Sequence, residues 1–440
     1  MALNIGQNGI VFRLDDGTVA ILRPGRNGGQ GVQIAVDPEI AGAYRLVSGD
    51  IAEGETQSIP PQRSPSIPET DSEAQPDWDA QVDEPGLRRR TTLPSIPSDR
   101  PVTQRLLTVS AVNGLPDSAS IPEGMESLTA TERPSAKTQR SRSERTPPDR
   151  LLTLSDGPMD VTGRTLDFAA PLGAGDFGLV YGPHGAGLTR TLQTVLNGIV
   201  VNAPDCVPLV LLLRPRAEEA TEWRRKFPQA DIVVGASAFE EGAPQQVLQL
   251  CDLLLEAAQR QTELGRDVVL LVDSLTALWG TMLEEEEADA QREADTSLSR
   301  RRMREWVQRA GCFHGEGPLG GGLGGSLTLI GAVWSQAIDV ESEEEHDLHP
   351  HLRLLEHILS EANWLVPLSA ALADQRLYPT IDVRRCRSRY EERLLPAETV
   401  EAHLRARGML PDRDPVACLL RLRAALDASA NGTDLLKALR

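Results

Sequence analysis

The chain has 440 residues and a formal net charge of −19, so it can form two or three domains but has no overall positive field to attract nucleic acid. No apolar run approaches the ~20 residues that span a bilayer, and the first residues lack the pattern of a signal peptide. Five scattered cysteines form no Cys-x-x-Cys pair and fit reduced thiols. We therefore expect a cytoplasmic protein that does not enter a membrane.

Short β-strands are predicted in the first part of the chain. A strand over residues 10–14 leads into the hairpin-turn signal Asp15-Asp16-Gly17, and a β-rich run follows over 18–22. Another strand is predicted over 32–36, and a strand pattern resumes over 103–113. This spacing favours a small β-barrel built from residues 1–56 together with 103–113.

Two polar stretches interrupt this pattern. Residues 57–102 are rich in proline, serine and acidic residues, and the tripeptide Ser-Ile-Pro recurs there and at 120–122, so we predict a disordered insert. Trp78 within the insert could anchor a partner, or it could be a chance aromatic residue in a linker. Residues 114–150 are predicted to form a second linker.

An α/β pattern begins at residue 151 and continues to 440. Near-continuous apolar runs in it are typical of strands buried in a parallel sheet. The predicted strands cover residues 178–181, 207–213, 231–234, 267–272, 326–334 and 364–368. The predicted helices cover about 189–202, 217–226 and 245–262. Strands that alternate with helices of this length predict a parallel sheet with helices on both faces.

A glycine-rich loop follows the first of these strands and opens a helix. The segment Gly182-Pro-His-Gly-Ala-Gly-Leu-Thr189 has the spacing G-x-x-x-x-G-x-T of a P-loop, whose backbone N–H groups and helix N-terminus hold phosphates. Its predicted nucleotide-binding residues are Gly182, Gly185, Ala186, Gly187, Leu188 and Thr189. Leu188 stands where a P-loop has the lysine that places a positive charge on the β- and γ-phosphates, and leucine carries no charge.

Asp273 ends an apolar strand and is followed by Ser274, which is the position of the Walker B carboxylate in a P-loop NTPase. It could instead cap the N-terminus of the next helix. On the first interpretation, Thr189 and Asp273 would hold Mg²⁺ and the nucleotide would be ATP.

Several further motifs occur in the same order as in one known family. They read Leu166-Asp-Phe-Ala-Ala-Pro-Leu-Gly173, Asn202-Ala-Pro-Asp-Cys-Val207, Glu218-Glu-Ala-Thr-Glu222, Asp267-Val-Val-Leu-Leu-Val-Asp-Ser-Leu-Thr276, Gly324-Gly-Ser-Leu-Thr-Leu-Ile330 and Tyr378-Pro-Thr-Ile-Asp382. With them the chain resembles the bacterial transcription termination factor Rho family over nearly its full length outside 57–101. The resemblance implies a RecA-like P-loop domain with a parallel sheet, preceded by a small OB or cold-shock-like β-barrel. It also implies a hexamer, ATP and Mg²⁺ as cofactors, and RNA-dependent ATPase and translocase activity.

The departures from this family concern its chemistry. The position of the family's catalytic glutamate holds Pro215, so no carboxylate remains there to polarise the attacking water. Arg216 keeps the neighbouring arginine and is expected at the nucleotide. The candidates for an arginine finger, which acts across a subunit interface, are Arg384, Arg385 and Arg389.

RNA binding is expected to be weak. The family's barrel carries aromatic side chains that stack on bases, a contact worth ~1–3 kcal/mol per base, but the corresponding strands here, at 18–22 and 34–36, are aliphatic. Phe12 and Tyr44 are expected in the core. Acidic runs at 284–289 and 339–345 stand where the family has pore loops that grip RNA. The nearby basic helix face at 300–304 could pair with these acids in a neighbouring subunit, or be solvated.

Three functions follow as hypotheses. In the first, the chain is a degenerate relative that binds nucleotide weakly or not at all and acts by assembly, as a homo-oligomeric ring or with authentic Rho, or by contact with RNA polymerase. In the second, it is an active RNA-dependent ATPase that terminates transcription. In the third, it is a scaffold whose 57–101 segment recruits partners.

Overall fold

The computed structural model of the chain describes residues 3–13, 18–24, 32–43, 46, 48–58, 104–112, 115–116, 144–236, 244–288, 297–314, 325–335, 358–429 and 438. Most of the predicted insert and of the second linker therefore lies outside the described residues. So do Tyr44, Trp78 and the acidic run at 339–345.

Two small sheets form the N-terminal part. The strands of the first are β1 (Ile10–Arg13), β2 (Val19–Arg23), β3 (Val32–Ala35), β6 (Gln104–Leu106) and β5 (Thr56–Ser58), in that order. The second joins β4 (Ala52–Glu53), β7 (Ala111–Val112) and β8 (Leu115–Pro116), and two short helices, α1 (Ile5–Asn8) and α2 (Pro38–Ala43), accompany the sheets. Strands from both sides of the insert thus pair with each other. Closure of the sheets into an OB-like barrel stays a prediction.

A nine-stranded sheet carries the rest of the fold. Its main order is β14 (Asp231–Ala236), β13 (Val207–Leu213), β15 (Val268–Asp273), β17 (Ser326–Trp334), β12 (Phe177–Gly182), β18 (Trp364–Pro367) and β19 (Arg387–Ser388). The first six run parallel and β19 is antiparallel, which confirms the predicted parallel sheet. The remaining strands are β9 (Glu144–Thr146), β16 (Gly311–His314) and a separate pair, β10 (Leu151–Leu152) with β11 (Leu172–Gly173).

Helices cover both faces of this sheet. They are α3 (Val161–Ala169), α4 (Leu188–Asn202), α5 (Ala217–Lys226), α6 (Pro244–Glu263), α7 (Leu275–Ala288), α8 (Ser297–Val307), α9 (Ala370–Asp374), α10 (Glu391–Leu394), α11 (Ala397–Gly408) and α12 (Pro415–Asp427). Successive residues of a strand point to opposite faces. In β15, Val268, Leu270 and Val272 pack toward α6, α7 and α8, a side we call the α6 face. Val269 and Leu271 pack toward α3, α4, α5 and α12, the α4 face.

The nine-stranded sheet begins upstream of the predicted boundary at residue 151. β9 pairs antiparallel with β16, and β16 pairs with the start of β17, so residues 144–146 of the predicted linker are part of the sheet. The sequence there is Glu-Arg-Thr, which gives no apolar strand pattern. Among the described helices, none is long and apolar enough to cross a membrane.

The N-terminal sheet packs on the α6 face. Ile10, Phe12 and Leu22 belong to the same buried cluster as the inward side chains of α6. The Asp231 carboxylate at the start of edge strand β14 accepts hydrogen bonds from the backbone N–H groups of Leu3 and Ile5, the latter at 3.0 Å. Burial raises the pKa of Asp231, and these hydrogen bonds oppose the shift. The N-terminal segment is thereby fixed to the edge of the large sheet.

Candidate nucleotide-binding site

The P-loop lies between β12 and α4, at the carboxyl ends of the parallel strands. Gly185 and Gly187 have φ values of +79° and +93°, a conformation that residues with a side chain rarely adopt. Gly187 precedes the first turn of α4, and the first intrahelical bond joins the Thr191 N–H to its carbonyl at 2.9 Å. The preceding N–H groups of the first turn have no partner within the helix, so they can donate to phosphate oxygens. The backbone therefore fits a nucleotide phosphate.

The Leu188 side chain is apolar and offers no charge or hydrogen bond to a phosphate in this loop. Its side chain is only 6% exposed and belongs to the apolar cluster of the α4 face, together with Leu192 and Val180. Arg190 is the nearest cation in sequence, and its guanidinium carbon lies 4.9 Å from the centre of the Tyr378 ring. A cation stacked on an aromatic face is stabilised there, so Arg190 does not occupy the place of the P-loop lysine.

Thr189 and Asp273 meet across the end of the sheet. The Thr189 hydroxyl donates a hydrogen bond to the Asp273 carboxylate. The pKa of Asp273 is raised to about 6: burial raises it most, the hydrogen bond from Thr189 opposes this shift, and the nearby charge of Glu219 adds to it. A hydroxyl and a carboxylate are oxygen ligands that suit Mg²⁺ when substrate phosphates and water complete its shell. Within the described residues no group of three or more His, Cys, Asp or Glu could hold a metal by itself.

The family's catalytic glutamate is expected at the end of β13, where this chain has Pro215. Pro215 is buried, and Arg216 lies exposed at the N-terminus of α5. The Glu219 carboxylate accepts a hydrogen bond from the Arg216 N–H at 3.0 Å and lies close enough to act on the pKa of Asp273. No carboxylate stands at 215, but Glu219 brings one near the site. No local pattern distinguishes Glu219, because it is one of several acidic residues on α5.

Aromatic side chains flank the P-loop on two sides, and the sequence analysis assigned them no role. The His184 and Trp334 rings lie 4.5 Å apart between centroids. On the other side, Tyr378 is close enough to Gly187 that an added Cβ there would meet its ring at 3.5 Å, and the Thr380 hydroxyl donates to the Ala186 carbonyl. His184 follows β12 and Trp334 ends β17, so the two residues are far apart in sequence and only the order of strands in the sheet brings them together.

The three arginine-finger candidates have different surroundings. Arg384 pairs with Asp412 and donates to the Arg407 carbonyl, so it is held within its own chain. Arg385 and Arg389 are exposed on either side of β19. These two could reach a neighbouring subunit, whereas Arg384 could do so only after breaking its own ion pair.

The acidic run at 284–289 is not a free loop where it is described. Residues 284–288 form the last turn of α7. Glu284 pairs with Arg214, Glu285 with Arg302, and Glu286 accepts from the Ser299 N–H at 2.8 Å. Pairing across a subunit interface and solvation were the two interpretations of the basic helix, and the structure instead pairs Arg302 with Glu285 within the chain.

No family model matches the chain. It is 32% identical over 245 residues to transcription termination factor Rho of Buchnera aphidicola subsp. Baizongia pistaciae, a match that covers 55% of this chain and 53% of that protein. The same figures hold for transcription termination factor Rho of Escherichia coli strain K12. The chain spans about half the length of the curated relatives it matches.

A solved structure gives the fold. The chain superposes on a prototypical ATPase from the type III secretion system of pathogenic bacteria with a TM-score of 0.51 and 17% identity, over 68% of this chain and 87% of that one. At this identity the match concerns the fold alone. The chain therefore has the α/β fold of RecA-like P-loop ATPases, and in sequence it is similar to transcription termination factor Rho.

Proposed function

We propose that this protein acts in transcription termination or its regulation as a Rho-like assembly component whose RecA-type site binds Mg²⁺-nucleotide weakly and does not hydrolyse it efficiently. The observation that carries the proposal is Leu188, which is buried in the α4-face core at the position of the P-loop lysine. Phosphoryl transfer depends on positioning and charge stabilisation, and loss of one preorganised electrostatic group typically costs ~10²–10³ in rate.

The end of β13 supports the same conclusion. Pro215 cannot orient a water molecule, and its ring has no N–H group. Losses of residues that act as a unit are not additive, so the two changes need not multiply. Either change alone is enough to bring turnover close to background.

Glu219 favours the second candidate function, an active RNA-dependent ATPase. Its carboxylate acts on Asp273, so it could orient water in place of the missing glutamate. Two facts weigh against this role: Glu219 accepts from the Arg216 N–H, and the residue at the lysine position is the uncharged Leu188. We therefore keep it as the alternative.

Action by assembly is supported by Arg385 and Arg389, which are exposed beside the edge strand β19. Weak RNA binding is supported by Phe12, which is buried against α6 and has no free ring face to stack on a base. The described part of the acidic run carries Glu284 and Glu285, whose carboxylates pair with Arg214 and Arg302 and would repel an RNA backbone. We further propose that residues 1–56 and 103–113 form one barrel unit and that the protein works in the cytoplasm.

Binding and hydrolysis need separate measurements on the purified full chain. Phosphate release from MgATP, with and without pyrimidine-rich RNA, is expected to stay at background. Asp273→Ala is the control for contaminating ATPases, and Glu219→Gln tests the alternative. RNA-stimulated hydrolysis that disappears in Asp273→Ala would overturn the proposal, and loss in Glu219→Gln as well would identify the substitute carboxylate.

Assembly is tested by mixing. Addition of this chain to a lysine-containing Rho is expected to lower the RNA-stimulated ATPase of that enzyme, because inactive subunits would enter its ring. The double variant Arg385→Ala, Arg389→Ala should weaken the effect, and Arg301→Ala, an exposed arginine on α8, is the matched control. An unchanged ATPase rate together with separate sedimentation of the two proteins would show that they do not assemble.

A further inference from the structure

Trp334 occupies a specific place at the nucleotide site. It ends β17, the strand that lies between the P-loop strand β12 and the Asp273 strand β15. Its register partner on β12 is Gly182, the first P-loop residue. Ile330 and Ala332 precede it at intervals of two and pack on the α4 face, so the indole emerges on the side of the P-loop helix.

The position of this indole matters because the site spans β17. Thr189 follows β12 and Asp273 ends β15, and their hydrogen bond passes over the carboxyl end of the strand between them. A phosphate chain that starts at the N-terminus of α4 and extends toward Asp273 must cross the same end. The Trp334 backbone N–H donates to the Thr276 hydroxyl at 2.9 Å, and the indole ring lies 4.5 Å from the His184 ring between centroids, so both the backbone and the side chain of this residue have a partner.

The charges at this end of the sheet also disfavour a third phosphate. Asp273 and Glu219 are both acidic, and Leu188 adds no positive charge. Arg190 is stacked on Tyr378, and Arg214 pairs with Glu284. The Mg²⁺ that Thr189 and Asp273 would hold offsets part of the charge of a γ-phosphate, but the lysine that would share this charge is missing, whereas the α- and β-phosphates can lie on the P-loop N–H groups.

From the geometry and the charges together, we infer that the site selects a nucleoside diphosphate over a triphosphate and that Trp334 sets this selectivity by filling the space of the γ-phosphate. The inference rests on the proposed function, since it takes the P-loop to be a nucleotide site that does not turn over. Trp334 is 37% exposed, so it can contact a ligand without being part of the core.

The test is calorimetric titration of the full chain with MgADP and with a magnesium complex of a non-hydrolysable ATP analogue. The wild type is expected to bind the diphosphate about tenfold or more tightly, which is about 1.4 kcal/mol. Trp334→Ala should reduce this preference by improving triphosphate binding, while the charges keep part of it, and Trp334→Phe should reduce it less. Leu404→Ala, an exposed apolar residue on α11, is the matched control and should leave the ratio unchanged.

Equal affinities in the wild type, or an unchanged ratio in Trp334→Ala, would overturn the assignment. Failure to bind either nucleotide would overturn it too, but would leave the absence of hydrolysis intact. Hydrolysis of ATP by the wild type that disappears in Asp273→Ala would instead contradict the proposed function. The fluorescence of Trp334 gives a second readout. Binding of MgADP to the neighbouring P-loop should change the fluorescence of the wild type, and this change should be absent in Trp334→Phe.

Discussion

Restoring the lysine at position 188 changes both the stability and the nucleotide affinity of this protein, in opposite directions. Leu188 is almost fully buried, and full burial of a leucine side chain is worth ~1.5–3 kcal/mol. Lysine can keep its aliphatic stem on the same surface while its ammonium reaches the P-loop. We therefore expect Leu188→Lys to lower the free energy of unfolding by about 1–2 kcal/mol without nucleotide.

Nucleotide should reverse this loss. A ligand at about 100 times its Kd stabilises the folded state by about 2.7 kcal/mol, so tighter MgATP binding by Leu188→Lys should raise its unfolding midpoint more than that of the wild type. The assay is thermal unfolding with and without MgATP, with Leu188→Met as a control that keeps the volume and adds no charge. Phosphate release should stay at background in Leu188→Lys and recover only in part when Pro215→Glu is added.

Two results would refute this reasoning. If MgATP stabilises Leu188→Lys no more than Leu188→Met, the ammonium does not meet a phosphate and the loop is not a phosphate cradle. If Leu188→Lys alone hydrolyses ATP at a rate that Asp273→Ala abolishes, the lysine was the only missing group, and Pro215 is compatible with catalysis.

Three further predictions concern stability. Asp176 is 1% exposed, and burial raises its pKa to about 7. This carboxyl therefore binds its proton more tightly in the folded than in the unfolded protein, and its contribution to the free energy of unfolding is lost as pH rises from about 4 to about 7. In Asp176→Asn the unfolding midpoint should vary less with pH over that range, and a pH profile like that of the wild type would contradict the raised pKa of Asp176. Arg302→Met removes the shared partner of the partly buried carboxylates of Asp252 and Glu285 and should destabilise by about 2 kcal/mol in urea denaturation, against about 0.5 kcal/mol or less for Arg301→Met. Equal effects would show that Arg302 contributes no more than an exposed arginine. Asp231→Ala should increase hydrogen exchange over residues 3–13, and unchanged protection there would show that the carboxylate does not hold the segment.

The parallel sheet could be predicted from the sequence because its strands are buried on both faces. Residues 207–213 and 326–334 are strands with the predicted bounds, since an apolar run flanked by polar residues leaves little choice of ends. β9 could not be predicted, because an edge strand paired on one side carries no such run. Its pairing with β16 joins residues that lie more than 160 positions apart in the chain.

The candidate site divides in the same way. The P-loop, Thr189 and Asp273 are recognised from local spacing, since a strand, a glycine loop and a helix follow one another directly. The Trp334–His184 contact and the closeness of Glu219 to Asp273 depend on the order of strands in the sheet, which no local pattern encodes. That Glu284 and Glu285 form their ion pairs within the chain could not be predicted, because an acidic run usually indicates a solvated surface and no local pattern identifies its partners.

The residues that replace the expected catalytic groups serve packing and ion pairs within the chain. Leu188 extends the core of the α4 face, and Pro215 is buried at the end of β13. Arg214, directly before it, has a left-handed φ of +55° and pairs with Glu284 on α7. Leu188 and Pro215 are thus both buried at the point where a hydrolysing site would need charged groups. A change that restores one catalytic group must therefore put a charge at a buried position, which is why we expect reversion to lower stability before nucleotide restores it.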